Sequence, residues 1–130
     1  MTSEKLEKLF CSRIEEMGAE LDASALLLRV QPDNVEPIED VYRIAHNLHG
    51  SGKMYGCCAV SDLGGSLEKI ARSLRDDALS MEPEVIDLIG RCAAALQTLD
   101  QTITDEFREG LEKLDWECQC ILHDSVSREK

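Results

Sequence analysis

The sequence contains few aromatic residues and few prolines, and this scarcity limits the folds that it can form. Phe, Trp and Tyr together make up 4% of the 130 residues, and proline occurs 3 times, whereas leucine and alanine are abundant. Strands are enriched in aromatic and β-branched residues, while leucine and alanine are strong helix formers. The composition therefore favours an all-α protein, and a chain of this length forms one domain with a substantial core.

The sequence also lacks the segments that would direct a chain to a membrane. The residues that follow Met1 are polar and contain no apolar core of a signal peptide, and no apolar run approaches the length of a membrane span. The net charge is −12, which serves solubility and disfavours nucleic acids and anionic membranes as partners, because their phosphates would be repelled. We therefore expect a cytoplasmic protein that binds neither.

The 6 cysteines do not have the spacing of a metal site. There is no CxxC pair, and no second cluster completes a tetrahedron around Cys118, Cys120 and His123, so we predict no bound metal. Without a secretion signal, free thiols are expected rather than disulfides. The sequence also has no P-loop and no kinase glycine-rich loop, so we expect no ATP-dependent kinase activity.

Apolar residues recur at spacings of three and four along four segments, which predicts four amphipathic helices. Short connections imply antiparallel neighbours, and we predict an up-down four-helix bundle over residues 1–106. The second helix is expected to begin at Asp33 or Asn34 and the third to run over residues 60–77, with Ser61 as N-cap. The predicted apolar stripes extend over Leu6–Leu21, Val41–Tyr55, Leu63–Leu74 and Val85–Ile103.

The same apolar spacing continues beyond Phe107. It predicts a helical extension over residues 107–124, followed by a disordered tail over residues 125–130. The extension either prolongs the fourth helix or folds back as a fifth one. Its Trp116 either packs on the bundle or forms a contact with another copy or domain, and the sequence leaves these alternatives open.

His46 lies on the polar side of the second predicted helix, opposite the apolar stripe. Gly50 and Gly52 follow it, and each lowers the stability of a helix interior by about 1 kcal/mol relative to alanine. Gly50, one turn after His46, would clear the approach of a large partner, whereas Gly52 suits close packing of two helices. A surface histidine without a role is the alternative, but this combination indicates an accessible nucleophile for a protein partner.

Glu68 lies at the rim of the third predicted helix and at the level of His46. His46 is ten residues before Gly56 and Glu68 twelve residues after it, so an antiparallel hairpin at Gly56 brings their side chains together. A carboxylate that accepts a hydrogen bond from one imidazole nitrogen fixes the tautomer and directs the other nitrogen outward. The alternative for Glu68 is an ion pair with Arg72 at i+4.

The run His46-Asn47-Leu48-His49-Gly50-Ser51, followed by Gly56 and by Leu67-Glu68, resembles the histidine-containing phosphotransfer (HPt) domain family. That family has an H-x-L-K-G-S motif, a glycine ten residues after the histidine, and Leu-Glu on the next helix. The resemblance is strongest over residues 41–75. It implies that His46 accepts a phosphoryl group, that Gly50 leaves room for a receiver domain, and that Glu68 orients the imidazole.

The resemblance also implies partners. The phosphoryl group would pass between aspartates of response-regulator receiver domains, with a sensor or hybrid histidine kinase upstream. No cofactor of this chain is implied, because the receiver domain would supply Mg²⁺. Arg72 matches a basic position of some phosphorelay members and would contact the phosphoryl group or the partner. We expect Tyr42, with Ile38 and Ala45, to form an apolar rim of the docking face, and the alternative for Ile38 and Ala45 is that they pack against the first or third helix.

One position departs from the family pattern. His49 stands where the family has lysine or arginine, and a histidine is mostly neutral at pH 7 unless a phosphate raises its pKa. Lys53, two turns after His46, would replace the missing charge. The departure also admits a second hypothesis, in which a degenerate domain binds a receiver or kinase without efficient phosphotransfer.

Overall fold

The computed structural model describes the backbone of residues 3–128, which form five helices and no strand. The all-α prediction is confirmed. The helices are α1 (Ser3–Val30), α2 (Val35–Tyr55), α3 (Cys58–Arg75), α4 (Pro83–Gln97) and α5 (Asp105–Arg128).

The first four helices run alternately up and down around one hydrophobic core. The rings of Phe10 in α1 and Tyr55 in α2 stack with their centroids 4.3 Å apart, so the start of α1 lies beside the end of α2. The backbone N–H of Ile103, just after α4, donates to Glu7 at 3.1 Å, which places the start of α1 beside the end of α4 as well. Fully buried aliphatic side chains fill the space between the helices, among them Ile14, Met17, Leu21, Ile44, Leu48, Leu63, Leu67, Ile70, Ile89 and Leu96.

A two-residue turn joins α2 to α3. Asn34 caps the start of α2, as predicted, by accepting a hydrogen bond from the backbone N–H of Glu36 at 3.1 Å. Gly56 ends the helix with a φ of 93°, a left-handed conformation that favours glycine. The turn is so short that α3 already begins at Cys58 instead of residue 60. The predicted N-cap at Ser61 is therefore wrong, and this residue lies inside the helix.

The C-terminal part of the chain is a separate fifth helix that folds back. The helix predicted to reach Ile103 ends at Gln97, where the Thr98 hydroxyl donates to the carbonyl of Ala95. Thr104 then accepts from the N–H of Phe107, and α5 packs against α3 and α4. The predicted disordered tail is corrected in part, because α5 continues to Arg128. Glu129 and Lys130 lie outside the described residues. The core residues of α5 are Phe107, Leu111, Leu114 and Cys118.

One prediction of side-chain position is wrong, and two open alternatives are decided. Leu6 and Leu9, assigned to the apolar stripe of α1, are about half exposed, whereas Phe10, Ile14, Met17 and Leu21 of the same stripe are buried. Ile38 and Ala45 are both buried in the core, so the alternative of packing against neighbouring helices applies to them and neither forms part of a docking rim. Of the two alternatives left open for Trp116, packing on the bundle does not apply, since this residue is 68% exposed.

None of the helices in the described residues combines the length and the hydrophobicity that a transmembrane span requires.

Candidate functional site

Helices α2 and α3 approach each other closely at two glycines. A Cβ atom added at Gly52 would lie 2.4 Å from the backbone nitrogen of Ser61, and one added at Gly64 would lie 2.5 Å from that of His49. Any larger residue at either position would push the helices apart. This close approach brings polar groups of the two helices within hydrogen-bonding distance of one another.

The imidazole of His46 forms a hydrogen bond to the carboxylate of Glu68 across this seam. The Nδ1 atom of His46 lies 2.8 Å from Oε1 of Glu68, so the register of the hairpin brings together the two residues predicted to meet. A carboxylate accepts, and therefore Nδ1–H donates. The His46 side chain is 67% exposed, whereas that of Glu68 is 16% exposed. In this tautomer the second nitrogen, Nε2, keeps its lone pair. It belongs to a ring that is largely exposed.

Gly50 and Gly52 have different surroundings, in agreement with the two reasons that the sequence suggested for them. A Cβ atom at Gly50 would meet no atom within 4 Å, so the surface one turn after His46 is open. Gly52 is buried against Ser61. No atom therefore covers the surface at Gly50, one turn from His46.

Tyr42 and two arginines extend the site on the other side of His46. The guanidinium carbons of Arg72 and Arg75 lie 5.9 Å and 5.1 Å from the centroid of the half-buried Tyr42 ring. Hydrogen bonding and charge interaction with Tyr42 raise the pKa of Arg72, and Glu68 adds to this effect. Glu68 itself bonds to His46, and within the described residues it forms no direct ion pair with Arg72.

His49 does not share the exposure of His46. Its Nδ1–H donates to the carbonyl oxygen of Ser61 at 2.8 Å, and the Ser61 hydroxyl oxygen is 3.3 Å from the same nitrogen. The half-buried ring lies against Gly65 of α3. Reasoning from the sequence missed this partner, because a backbone carbonyl leaves no residue-type signal. Lys53, two turns after His46, is exposed.

The residues considered for metal binding do not form a site. Cys118 is buried between α4 and α5, Cys120 is partly buried and His123 is exposed. Among the residues that the structure describes, no three His, Cys, Asp or Glu side chains are grouped so that they could hold an ion.

Comparison with known proteins identifies a family and several relatives of the chain. The family model described as Hpt domain matches residues 5–117. The chain is 27% identical over 99 residues to chemotaxis protein CheA of Listeria monocytogenes, covering 76% of this chain and 16% of that protein. It is 24% identical over 90 residues to sensor histidine kinase CheAY of Helicobacter pylori, covering 69% of this chain and 11% of that protein.

A third relative is chemotaxis protein CheA of Bacillus subtilis, at 26% identity over 80 residues, with 62% of this chain and 12% of that protein covered. The chain therefore spans only a small part of the length of these relatives. No solved structure matches it significantly.

Proposed function

The chain belongs to the Hpt family of histidine phosphotransfer domains of two-component signalling, and from this premise we propose that it carries a phosphoryl group on His46 between receiver-domain aspartates. One observation carries the proposal. The His46 ring is two-thirds exposed while its Nδ1–H is held by Glu68, so that Nε2 is the nitrogen free to react.

The proposed reaction is an in-line transfer to Nε2. The lone pair of Nε2 forms a bond to the phosphorus of an aspartyl phosphate, the P–O bond to the aspartate breaks, and the aspartate leaves as a carboxylate. The transition state is loose, so catalysis depends on positioning and on charge neutralisation. With Nε2 bonded to phosphorus and Nδ1 still protonated, the ring is positively charged, and the carboxylate of Glu68 neutralises this charge at 2.8 Å.

The proposed partners are receiver domains, with a sensor or hybrid histidine kinase as the source of phosphoryl groups. The open surface at Gly50 provides room for a receiver domain, and Tyr42 lies at the edge of the same face. We expect the acidic pocket of the receiver to supply Mg²⁺, with no cofactor held by this chain. The reverse reaction passes the phosphoryl group from His46 to a second receiver.

A cytoplasmic location is part of the same proposal. All six cysteines are free thiols, including four that are buried, and this is the state that a reducing compartment maintains.

A transfer assay tests the proposed function. A panel of receiver domains is phosphorylated with acetyl phosphate and Mg²⁺, freed of the donor, and incubated with the wild-type chain or with His46→Gln. We expect acid-labile label on the wild-type chain and none on the variant. Label that is resistant to acid, or that persists in His46→Gln, would contradict the assignment of His46.

The same assay evaluates the degenerate-domain alternative, which is favoured by a histidine at position 49, where the family has a permanently charged lysine or arginine. Phosphoramidate serves as a small donor that needs no docking. If a receiver binds the chain but neither phospho-receiver nor phosphoramidate labels His46, the chain is a binding module and the phosphocarrier proposal is wrong.

A further inference from the structure

Arg72 contacts an aromatic ring, whereas most arginines in the described part of this acidic chain pair with carboxylates. Its guanidinium contacts the Tyr42 ring, and within the described residues it forms no direct ion pair. Arg75 contacts the same ring but also pairs with Asp76 at 3.4 Å. The positive charge of Arg72 therefore remains available to an anion. The arginines that pair with carboxylates elsewhere are Arg13, Arg43, Arg91 and Arg108.

The helix register places this charge next to the reactive nitrogen. Tyr42 precedes His46 by one turn on α2, and Arg72 follows Glu68 by one turn on α3. Because α2 and α3 are antiparallel, the Tyr42–Arg72 contact lies one turn along the seam from the His46–Glu68 bond, at an axial separation of roughly 6 Å. An arginine side chain spans such a separation, so its guanidinium can reach a group bonded to Nε2.

The alternative cations on α2 are less well placed. The His49 ring is held toward Ser61 through Nδ1, and an imidazole, unlike a guanidinium, carries no permanent charge. Lys53 is exposed and lies about 10 Å along the helix axis from His46. Neither position offers a cation fixed beside the phosphoryl group.

We propose that Tyr42 is a positioning residue whose ring holds Arg72 beside phosphorylated His46, and that this pair supplies the positive charge that His49 does not. The inference rests on the proposed function of His46. The planar guanidinium matches two oxygens of a dianionic phosphoryl group. By limiting the conformations of the long arginine side chain, the Tyr42 ring reduces the entropy that is lost when the guanidinium binds those oxygens.

The experiment measures the ionisation of the phosphoryl group itself. The chain is phosphorylated on His46 with phosphoramidate, and the ³¹P resonance of the phosphohistidine is followed as a function of pH. A guanidinium beside the group favours its dianion and lowers its pKa. We expect Arg72→Gln and Tyr42→Leu each to raise this pKa by on the order of half a unit, about threefold in the dissociation constant. Lys53→Gln, the matched loss of one cation from the same face, should leave it unchanged.

Conservative variants and a double variant separate positioning from a structural role. Tyr42→Phe keeps the ring but removes the hydroxyl that hydrogen-bonds to Arg72, so its pKa should lie between those of the wild type and Tyr42→Leu, and Arg72→Lys should likewise recover only part of the wild-type value. Because the ring acts through Arg72, Tyr42→Leu combined with Arg72→Gln should shift the pKa no further than Arg72→Gln alone.

Several results would overturn the inference about Tyr42 and Arg72 without contradicting the proposed function of His46. These are wild-type values in Arg72→Gln or Tyr42→Leu, fully additive shifts in the double variant, or a larger shift in Lys53→Gln or Arg75→Gln than in Arg72→Gln. If the wild-type chain takes no phosphoryl group from phosphoramidate, the proposed function itself fails.

Discussion

Helix α2 carries two histidines, His46 and His49, whose surroundings differ in one decisive respect. Each ring has its Nδ1 bonded to α3 at 2.8 Å, which fixes the tautomer and leaves Nε2 as the free nitrogen. The acceptor is the carboxylate of Glu68 for His46 and the backbone carbonyl of Ser61 for His49. The first ring is largely exposed and the second is half-buried. The two rings therefore share the orientation of Nδ1 and differ in their exposure and in the charge of the acceptor.

The difference in acceptor determines which ring can stabilise a phosphorylated state. Bonding of phosphorus to Nε2 makes a ring with a protonated Nδ1 positively charged. The full negative charge of Glu68 neutralises this charge, whereas the dipole of a carbonyl group does so only in part. We infer that His46 is the reactive histidine and that His49 holds α2 against α3.

The largest expected effect separates the two histidines directly. His46→Gln removes the nucleophile and should abolish labelling by phosphoramidate or a phospho-receiver, while His49→Gln should retain it. The label is quantified before and after acid treatment, and peptide mapping under non-acidic conditions locates it. Loss of labelling in His49→Gln with retention in His46→Gln would reverse the assignment. The two free energies of unfolding, measured alongside, show whether either variant is unfolded.

The next comparison concerns the glycines beside the two rings. Gly64→Ala places a methyl group 2.5 Å from the backbone of His49 and should lower the free energy of unfolding by about 2–3 kcal/mol through overpacking. Gly50→Ala meets no atom and should raise the free energy of unfolding by up to about 1 kcal/mol through helix propensity. Urea denaturation measures both. Equal effects at the two positions would contradict the close approach of α2 and α3.

Replacement of Glu68 alters charge with little change of shape. Glu68→Gln retains an oxygen that accepts from Nδ1–H but removes the negative charge, so we expect roughly a tenfold slower phosphorylation of His46, a barrier increase of about 1.4 kcal/mol. Glu68→Ala should be slower still. Single-turnover rates with phosphoramidate give the measurement, and wild-type rates in Glu68→Gln would show that the carboxylate only orients the ring.

The smallest expected effect is on stability. His49→Ala removes the hydrogen bond to Ser61 and should lower the free energy of unfolding by about 1 kcal/mol. His46→Ala, at an exposed position, should change it by less than about 0.5 kcal/mol. Thermal and urea unfolding compare the two variants. A larger loss in His46→Ala would identify His46 as the ring that joins the helices.

The His46–Glu68 contact was predictable from the sequence because it depends on regular geometry. Two amphipathic helices joined at Gly56 have a register that counting along the chain reveals. The role of His49 was not predictable, because its partner is the carbonyl of Ser61, and every residue of a helix has a carbonyl. The residue type at position 61 therefore carried no information about this bond.

The C-terminal half shows a second limit of sequence patterns. Apolar spacing continued through Ile103, yet α4 ends at Gln97 and α5 starts at Asp105. Periodicity reports which residues are apolar but not where a chain turns when loop residues such as Leu99 are also buried. The prediction of apolar neighbours for Leu6 and Leu9 failed for a related reason, since an apolar stripe does not reveal how far a neighbouring helix extends.

The central claim is that Nε2 of His46 bonds to phosphorus while Nδ1 stays with Glu68. Phosphorylation of ¹⁵N-histidine-labelled chain, followed by NMR detection of ¹⁵N–³¹P coupling, identifies the nitrogen. We predict coupling to Nε2 of His46 and none to either nitrogen of His49. Coupling to Nδ1 of His46, or to His49, would contradict the account.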